Sequence, residues 1–87
     1  MKAQPYKILL LESSEKKDSS LGQILNEKGY HTETFNEIEP VIERIMNKSV
    51  DLVISDNNVK GYCGFAVYKL LVKYLRNNGI PFFLVLA

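Results

Sequence analysis

Two acidic residues stand where apolar runs stop. Asp56 closes Leu52-Val53-Ile54-Ser55, and Glu12 closes Ile8-Leu9-Leu10-Leu11. A carboxylate at the end of a buried strand has three ordinary uses. It can hold a hard cation such as Mg2+, which takes one or two carboxylates together with waters and phosphate oxygens. It can act as a nucleophile and accept a phosphoryl group. Or it can cap the turn that follows, the common role of an isolated loop aspartate. If the two runs are neighbouring parallel strands, their ends lie about 5 Å apart. Two carboxylates that close repel unless a cation lies between them.

The nearby residues have two readings each. Asn58 can offer a carbonyl to a metal site, or serve the turn, as Asn usually does. Lys60 can reach back to Asp56 and imitate the charge of an occupied site, or lie in solvent. Ser13 reads as a helix N-cap, a role Ser14 could share. Cys63 has no histidine motif beside it, so cysteine catalysis is not expected. His31 has no acid or cysteine at metal spacing and reads as a surface residue. Gly61 and Gly64 read as turn formers; they make neither a G-x-G-x-x-G nor a Walker loop, so nucleotide binding has no motif behind it.

These side chains need a scaffold, and hydropathy supplies one. Lys7 to Leu11 reads as a buried strand. A helix follows from Ser13 or Ser14 to about Lys28, with Leu21, Ile24 and Leu25 on one face and Gly22 lowering its propensity. Tyr30 to Phe35 alternates and reads as a half-exposed strand near an edge. Asn36 is placed to cap a second helix whose buried stripe is Ile38, Val41, Ile42, Ile45 and Met46, with Pro40 tolerated in the first turn. Val50 to Asp56 reads as a strand with no alternation across Leu52 to Ile54, which predicts cover on both faces. After a loop over 57–63, a third helix is expected from Phe65 to Arg76, striped by Phe65, Tyr68, Leu71, Val72 and Leu75 and ended by Asn77-Asn78-Gly79. Ile80 to Ala87 forms the last strand, with Pro81 at its start. The order β-α-β-α-β-α-β predicts a parallel α/β sheet with right-handed crossovers.

Bulk properties narrow the function. The 87 residues make one small domain, 46% hydrophobic and 24% charged. A net charge of +1 gives no electrostatic argument for nucleic acid or a membrane surface. A single cysteine cannot form an internal disulfide and fits a reducing cytoplasm. The polar start, Met1 to Pro5, is too short for a signal peptide, and no apolar run approaches the roughly 18 residues of a membrane span.

The segment from Asp51 to Phe65, DLVISDNNVKGYCGF, resembles the acceptor segment of response-regulator receiver domains: strand, acceptor Asp, short loop, Gly-x-x-Gly-Phe. Lys7 to Glu15 (KILLLESSE) is similar to their first strand and Ile80 to Ala87 (IPFFLVLA) to their fourth. The resemblance runs in register from Lys7 to Ala87. It implies a flavodoxin-like sheet of order 2-1-3-4, with residues 1–87 as one partial domain in which the fifth strand and last helices have no counterpart. It implies that Asp56 accepts a phosphoryl group from a histidine kinase or phosphotransfer protein. Glu12, Asp56 and the Asn58 carbonyl would then hold Mg2+. The implied protein is a cytoplasmic signalling module rather than an enzyme.

The chain departs from the family pattern at several places. Ser13 stands at the second acid, Glu12 is one methylene longer than the usual aspartate, and Leu86 occupies the place of a Thr or Ser hydroxyl. Lys60 replaces a common proline, Cys63 a common acid, and the family's lysine after the fifth strand has no counterpart. Each lost charge-assisted contact costs about 1.5–3 kcal/mol, so losing the second acid, the hydroxyl and the ammonium together weakens a phosphorylated, metal-bound state by several powers of ten, even allowing for non-additivity. This supports an alternative: a degenerate pseudo-receiver that binds protein partners without phosphorylation. The uncovered apolar last strand is an association hazard, so the chain is expected either to be a fragment or to hide that strand by self-association or strand exchange.

Overall fold

Lys7–Leu11 forms β1, the strand that the rest of the molecule packs around. A computed structural model of the chain describes residues 6–13, 20–47 and 49–85. The further elements are α1 (Ser20–Glu27), β2 (His31–Phe35), α2 (Ile38–Met46), β3 (Leu52–Asp56), β4 (Asn58–Val59), β5 (Tyr62–Cys63), α3 (Gly64–Asn77) and β6 (Phe82–Val85). The main sheet has the order β2-β1-β3-β6, and every pairing in it is parallel. This is the expected order, with β6 as the fourth strand of the pattern. The expected helix start at Ser14 lies outside the described residues, as do Leu86 and Ala87.

One face of the sheet carries the main core. Leu9 and Leu11 of β1 and Val53 of β3 are fully buried there with Val41, Ile45 and Leu71 from α2 and α3. Tyr68 of α3 packs at a tilt against Phe82 of β6 with ring centroids 5.4 Å apart. The opposite face carries α1, which packs on β2 and comes closest to β1 at Gly22. A Cβ there would sit 3.3 Å from a Leu10 methyl. Gly22, which in the sequence only lowers helix propensity, thus lets α1 settle onto the strand.

Several expectations are corrected. β3 is not evenly covered: Val53 and Ser55 are buried, whereas Leu52, Ile54 and Asp56 are half-buried. The helical layer over this second face is α1, and α1 lies towards β2. Met46 is 61% exposed and Phe65 66%; both sit at helix ends, where the apolar stripe runs past the sheet. The N-cap of α2 is Glu37, one residue after Asn36, and it makes no side-chain capping bond. Pro40 is then the third helical residue, where its missing N–H costs no intrahelical bond. The loop after β3 is a small antiparallel hairpin, β4–β5, with Val59 opposite Tyr62. Its two-residue turn, Lys60 (φ 51) and Gly61 (φ 87), has both residues at positive φ, as hairpins of this length require. Gly64 is not a turn residue: a Cβ on it would lie 2.1 Å from a Leu84 methyl, so it is the contact that brings the start of α3 onto β6.

Glu33 joins β1, β2 and α2 electrostatically. Lys7 Nζ lies 2.7 Å from its Oε1, and Arg44 donates to both carboxylate oxygens at 3.1 Å while lying over the Phe35 ring. The hydrogen bonds from Arg44 and then Lys7 lower the Glu33 pKa from 4.5 to about 2. A depressed carboxylate pKa stabilises the fold fully above the ordinary value and loses that effect as pH falls towards the folded value. Because 29% of the Glu33 side chain is exposed, screening reduces the effect to about 1 kcal/mol. Urea midpoints at pH 6 and pH 3 check this: Glu33→Gln is expected to lose about 1 kcal/mol less than the wild type between them. Equal losses in the two proteins would remove the role of this cluster.

Candidate functional site

The site is set by strand register. Leu11 pairs with Ser55, so the next step along each strand brings Glu12 beside Asp56 at the carboxyl edge of the sheet. Glu12 is held there by its own backbone: its N–H donates to the Phe35 carbonyl at 2.8 Å, extending the β1–β2 pairing by a residue. The residue is only 8% exposed, so Glu12 is a buried acid rather than one held in solvent. Asp56 is half-buried, its Oδ2 atom is shielded from solvent, and the residue interacts with its surroundings. Ser55 is fully buried, and its hydroxyl donates to the Asp56 carbonyl at 2.9 Å. That bond fixes the backbone at the point where strand becomes loop. On the far side of Asp56, Val85 of β6 is its register partner.

The loop residues divide differently from their sequence readings. The Asn58 side chain accepts a hydrogen bond from the Gly61 N–H at 3.2 Å, so it is committed to the hairpin turn. The Asn57 carbonyl accepts from the Gly64 N–H at 2.8 Å, tying the hairpin to the start of α3. Lys60 does not mimic an occupied site; it pairs with Glu37 at the cap of α2. That pair lowers the Glu37 pKa through the Lys60 hydrogen bond. His31 lies exposed on β2, and Cys63 is an exposed free thiol at the cap of α3.

Next to Glu12 is an open cleft of about 350 Å³ lined by Glu12, Ser13, Thr34, Phe35, Asn36, Glu37 and Pro40. It exposes the Glu12–Ser13 end of β1 to ligands from solvent. Among the described residues no three His, Cys, Asp or Glu side chains gather into a metal cluster. The register leaves two carboxylates, Glu12 and Asp56, that could offer oxygen to a cation at this edge. That number suits Mg2+, which keeps much of its water shell, better than metals that need a full protein cage.

Sequence reasoning missed Asp51. Its Oδ2 accepts from the Lys7 N–H at 2.8 Å, and its own N–H donates to the Lys7 carbonyl at 2.8 Å. This clamp aligns the amino ends of β1 and β3 and so sets the register that brings Glu12 to Asp56. The available signal was an acid interrupting the apolar run between Val50 and Leu52.

No family model and no curated protein sequence matches the chain. Among solved structures, the chain is similar to the crystal structure of the receiver domain from the hybrid histidine kinase CckA. The TM-score is 0.62 at 21% identity, covering 90% of this chain and 83% of that one. Together with the parallel β2-β1-β3-β6 sheet and its three helices, this defines the class: a flavodoxin-like α/β protein with the receiver-domain fold. Among the described residues no helix is long and apolar enough to cross a membrane.

Proposed function

We propose that the chain is a receiver domain of a two-component signalling system in which Asp56 accepts a phosphoryl group from the phosphohistidine of a histidine kinase or phosphotransfer protein. The observation that carries this reading is the register that sets Asp56 beside buried Glu12 at the carboxyl edge of a receiver-type sheet. In open parallel sheets that edge is where ligands bind. In the transfer, an Asp56 carboxylate oxygen forms the new P–O bond as the P–N bond to histidine breaks, and the histidine leaves with its electron pair and takes up a proton. Glu12, Asp56 and the Asn58 carbonyl would hold Mg2+, which supplies charge neutralisation for the phosphoryl oxygens. The Ser55 hydroxyl keeps the Asp56 backbone in place during the transfer. The added charge then biases the hairpin that follows Asp56 directly in the chain. This function places the domain in the cytoplasm and makes it a signalling module, not an enzyme.

Beryllofluoride, which imitates a phosphoryl group on aspartate, provides the test. With Mg2+ present, amide resonances of β3 and the β4–β5 hairpin are expected to shift in the wild type and to stay unmoved in Asp56→Asn. Silence of the wild type at millimolar concentrations, or an unchanged response in the variant, would refute phosphoryl acceptance. Ser13, at the place of the family's metal-binding acid, favours the second reading: a pseudo-receiver that recognises protein partners without phosphorylation. A folded but silent wild type is the result that reading requires.

A further inference from the structure

We propose that the groove between α2 and α3 docks an amphipathic helix of a partner protein, with a basic flank of that helix lying along α2. The groove has a volume of about 470 Å³. Ile38 and Ile42, one turn apart on α2, form one wall; Leu70 and Tyr74, one turn apart on α3, form the other. Tyr62 of the β4–β5 hairpin joins them. Ile38, Ile42 and Tyr74 are rooted in the core, whereas Leu70 and Tyr62 are 46% and 48% exposed. Apolar side chains gathered in one exposed groove mark a contact surface.

The whole groove lies within residues 37–74, in elements that join one described strand to another, so neither end of the chain creates it. It is on the flank of α3 that faces α2. β6 lies under the opposite flank, where Tyr68 packs against Phe82, so chain extending from β6 meets that other flank first. A second copy offers the same concave floor, and groove against groove leaves both floors unfilled. A convex helix fills them. The nine residues of α2 span about 13 Å, room for some three turns with anchors at i, i+3 or i+4, and i+7.

Charge selects the occupant. Glu39 and Glu43, one turn apart and both exposed, stand on the outer side of the α2 wall. Among the described residues no ion pair uses either of them. Glu37, on the same wall, is already paired with Lys60. The α3 rim carries Lys73, whose ammonium leans over the Tyr74 ring at 5.2 Å. An acidic rim thus faces a basic one across an apolar floor. The matching helix carries Lys or Arg along α2 and Asp or Glu along α3. The opposed rims also fix its direction, because turning the helix end for end exchanges its flanks. The contact is short, below the roughly 1,200 Å² of stable specific interfaces, so the expected dissociation constant is on the order of micromolar or weaker.

Two synthetic peptides of about 14 residues, long enough to form a helix, test the proposal independently of phosphoryl chemistry. Both carry leucines at i, i+4 and i+7. One has lysines on one flank and glutamates on the other; the control has glutamates on both. The chain's net charge of +1 favours the control if overall charge alone matters. In amide-shift titrations of the whole chain, the first peptide is expected to bind about tenfold more tightly, with shifts centred on α2, α3 and the hairpin. Leu70→Lys is expected to weaken it about tenfold or more. Glu39→Lys combined with Glu43→Lys is expected to reverse the preference between the peptides, and circular dichroism confirms that the variants remain folded. No binding at millimolar concentration, equal affinity for both peptides, shifts centred elsewhere, or undiminished binding in the variants would overturn the proposal. So would concentration-dependent shifts of α2 and α3 without peptide, which assign the groove to a second copy.

Discussion

Truncating Leu9 to alanine is expected to lower stability by roughly 2–5 kcal/mol. Leu9 is fully buried in β1, between Glu33 of β2 and Val53 of β3 in the sheet. It belongs to the same buried cluster as Val41 and Ile45 of α2 and Leu71 of α3. Its neighbours are held by strand pairing below and by helix packing above, so they collapse poorly into the space left behind. Lost transfer free energy and a residual cavity therefore add. At about 0.05–0.15 kcal/mol per residue, a domain of this length is stable by roughly 4–13 kcal/mol, so this one change removes a large share. Met46→Ala is the control: with 61% of Met46 exposed, the expected change stays within about 0.5 kcal/mol. Urea denaturation of the three proteins decides the matter. A Leu9→Ala cost below about 1 kcal/mol would mean that the β1 face is not the main core.

The second large effect is expected at Ser13. If the Glu12–Asp56 edge is a cation site, Ser13→Asp adds a third carboxylate beside a cleft that Glu12 already lines. A charge-assisted contact is worth about 1.5–3 kcal/mol, and 1.4 kcal/mol is tenfold in affinity. Mg2+ binding is therefore expected to tighten roughly tenfold to hundredfold. The same substitution crowds three acids together in the metal-free protein, so its melting temperature without Mg2+ is expected to fall while the gain on adding Mg2+ grows. Titration calorimetry and thermal melts at constant ionic strength measure the two halves separately. Unchanged affinity would take Ser13 out of the site even if Asp56 accepts a phosphoryl group.

The parts of the fold legible in the sequence were those dictated by local pattern. Ile8 to Leu11 could only be a buried strand, and Val41 and Ile45 could only face inward from a helix. The β-α-β alternation then restricts the sheet to a few orders, one of which is observed. What sequence missed depends on contacts between distant segments. Gly22 looks like a weak helix residue and Gly64 like a turn former until Leu10 and Leu84 are found against them. Phe65 and Met46 fit their helical periods but lie at ends that overrun the sheet. The site was legible to the same degree. Asp56 and Glu12 announce themselves as acids closing apolar runs, and the parallel register does bring them together. The Lys60–Glu37 pair was not legible, because its partners are 23 residues apart and meet only when the hairpin folds towards α2. The Asp51 clamp was hidden for the same reason.

The position of β1 between β2 and β3 also has a consequence for how the chain is made. During synthesis β1 emerges first and finds β2 soon afterwards, a pairing with α1 as its crossover. Its other neighbour, β3, follows only after α2 has appeared: Leu10 must wait for Ile54. The face bearing Leu9 and Leu11 gains Val41 and Ile45 when α2 appears, but its cover is complete only when Leu71 and Leu75 follow in α3. A ribosome-bound intermediate comprising residues 7–35 would therefore present a row of leucines to the cell before anything in the chain can cover it. Parallel sheets are slow and vulnerable in this way because contacts far apart in sequence must await their partners. The central strand that organises the finished molecule is thus also the stretch most in need of protection while that molecule is being born.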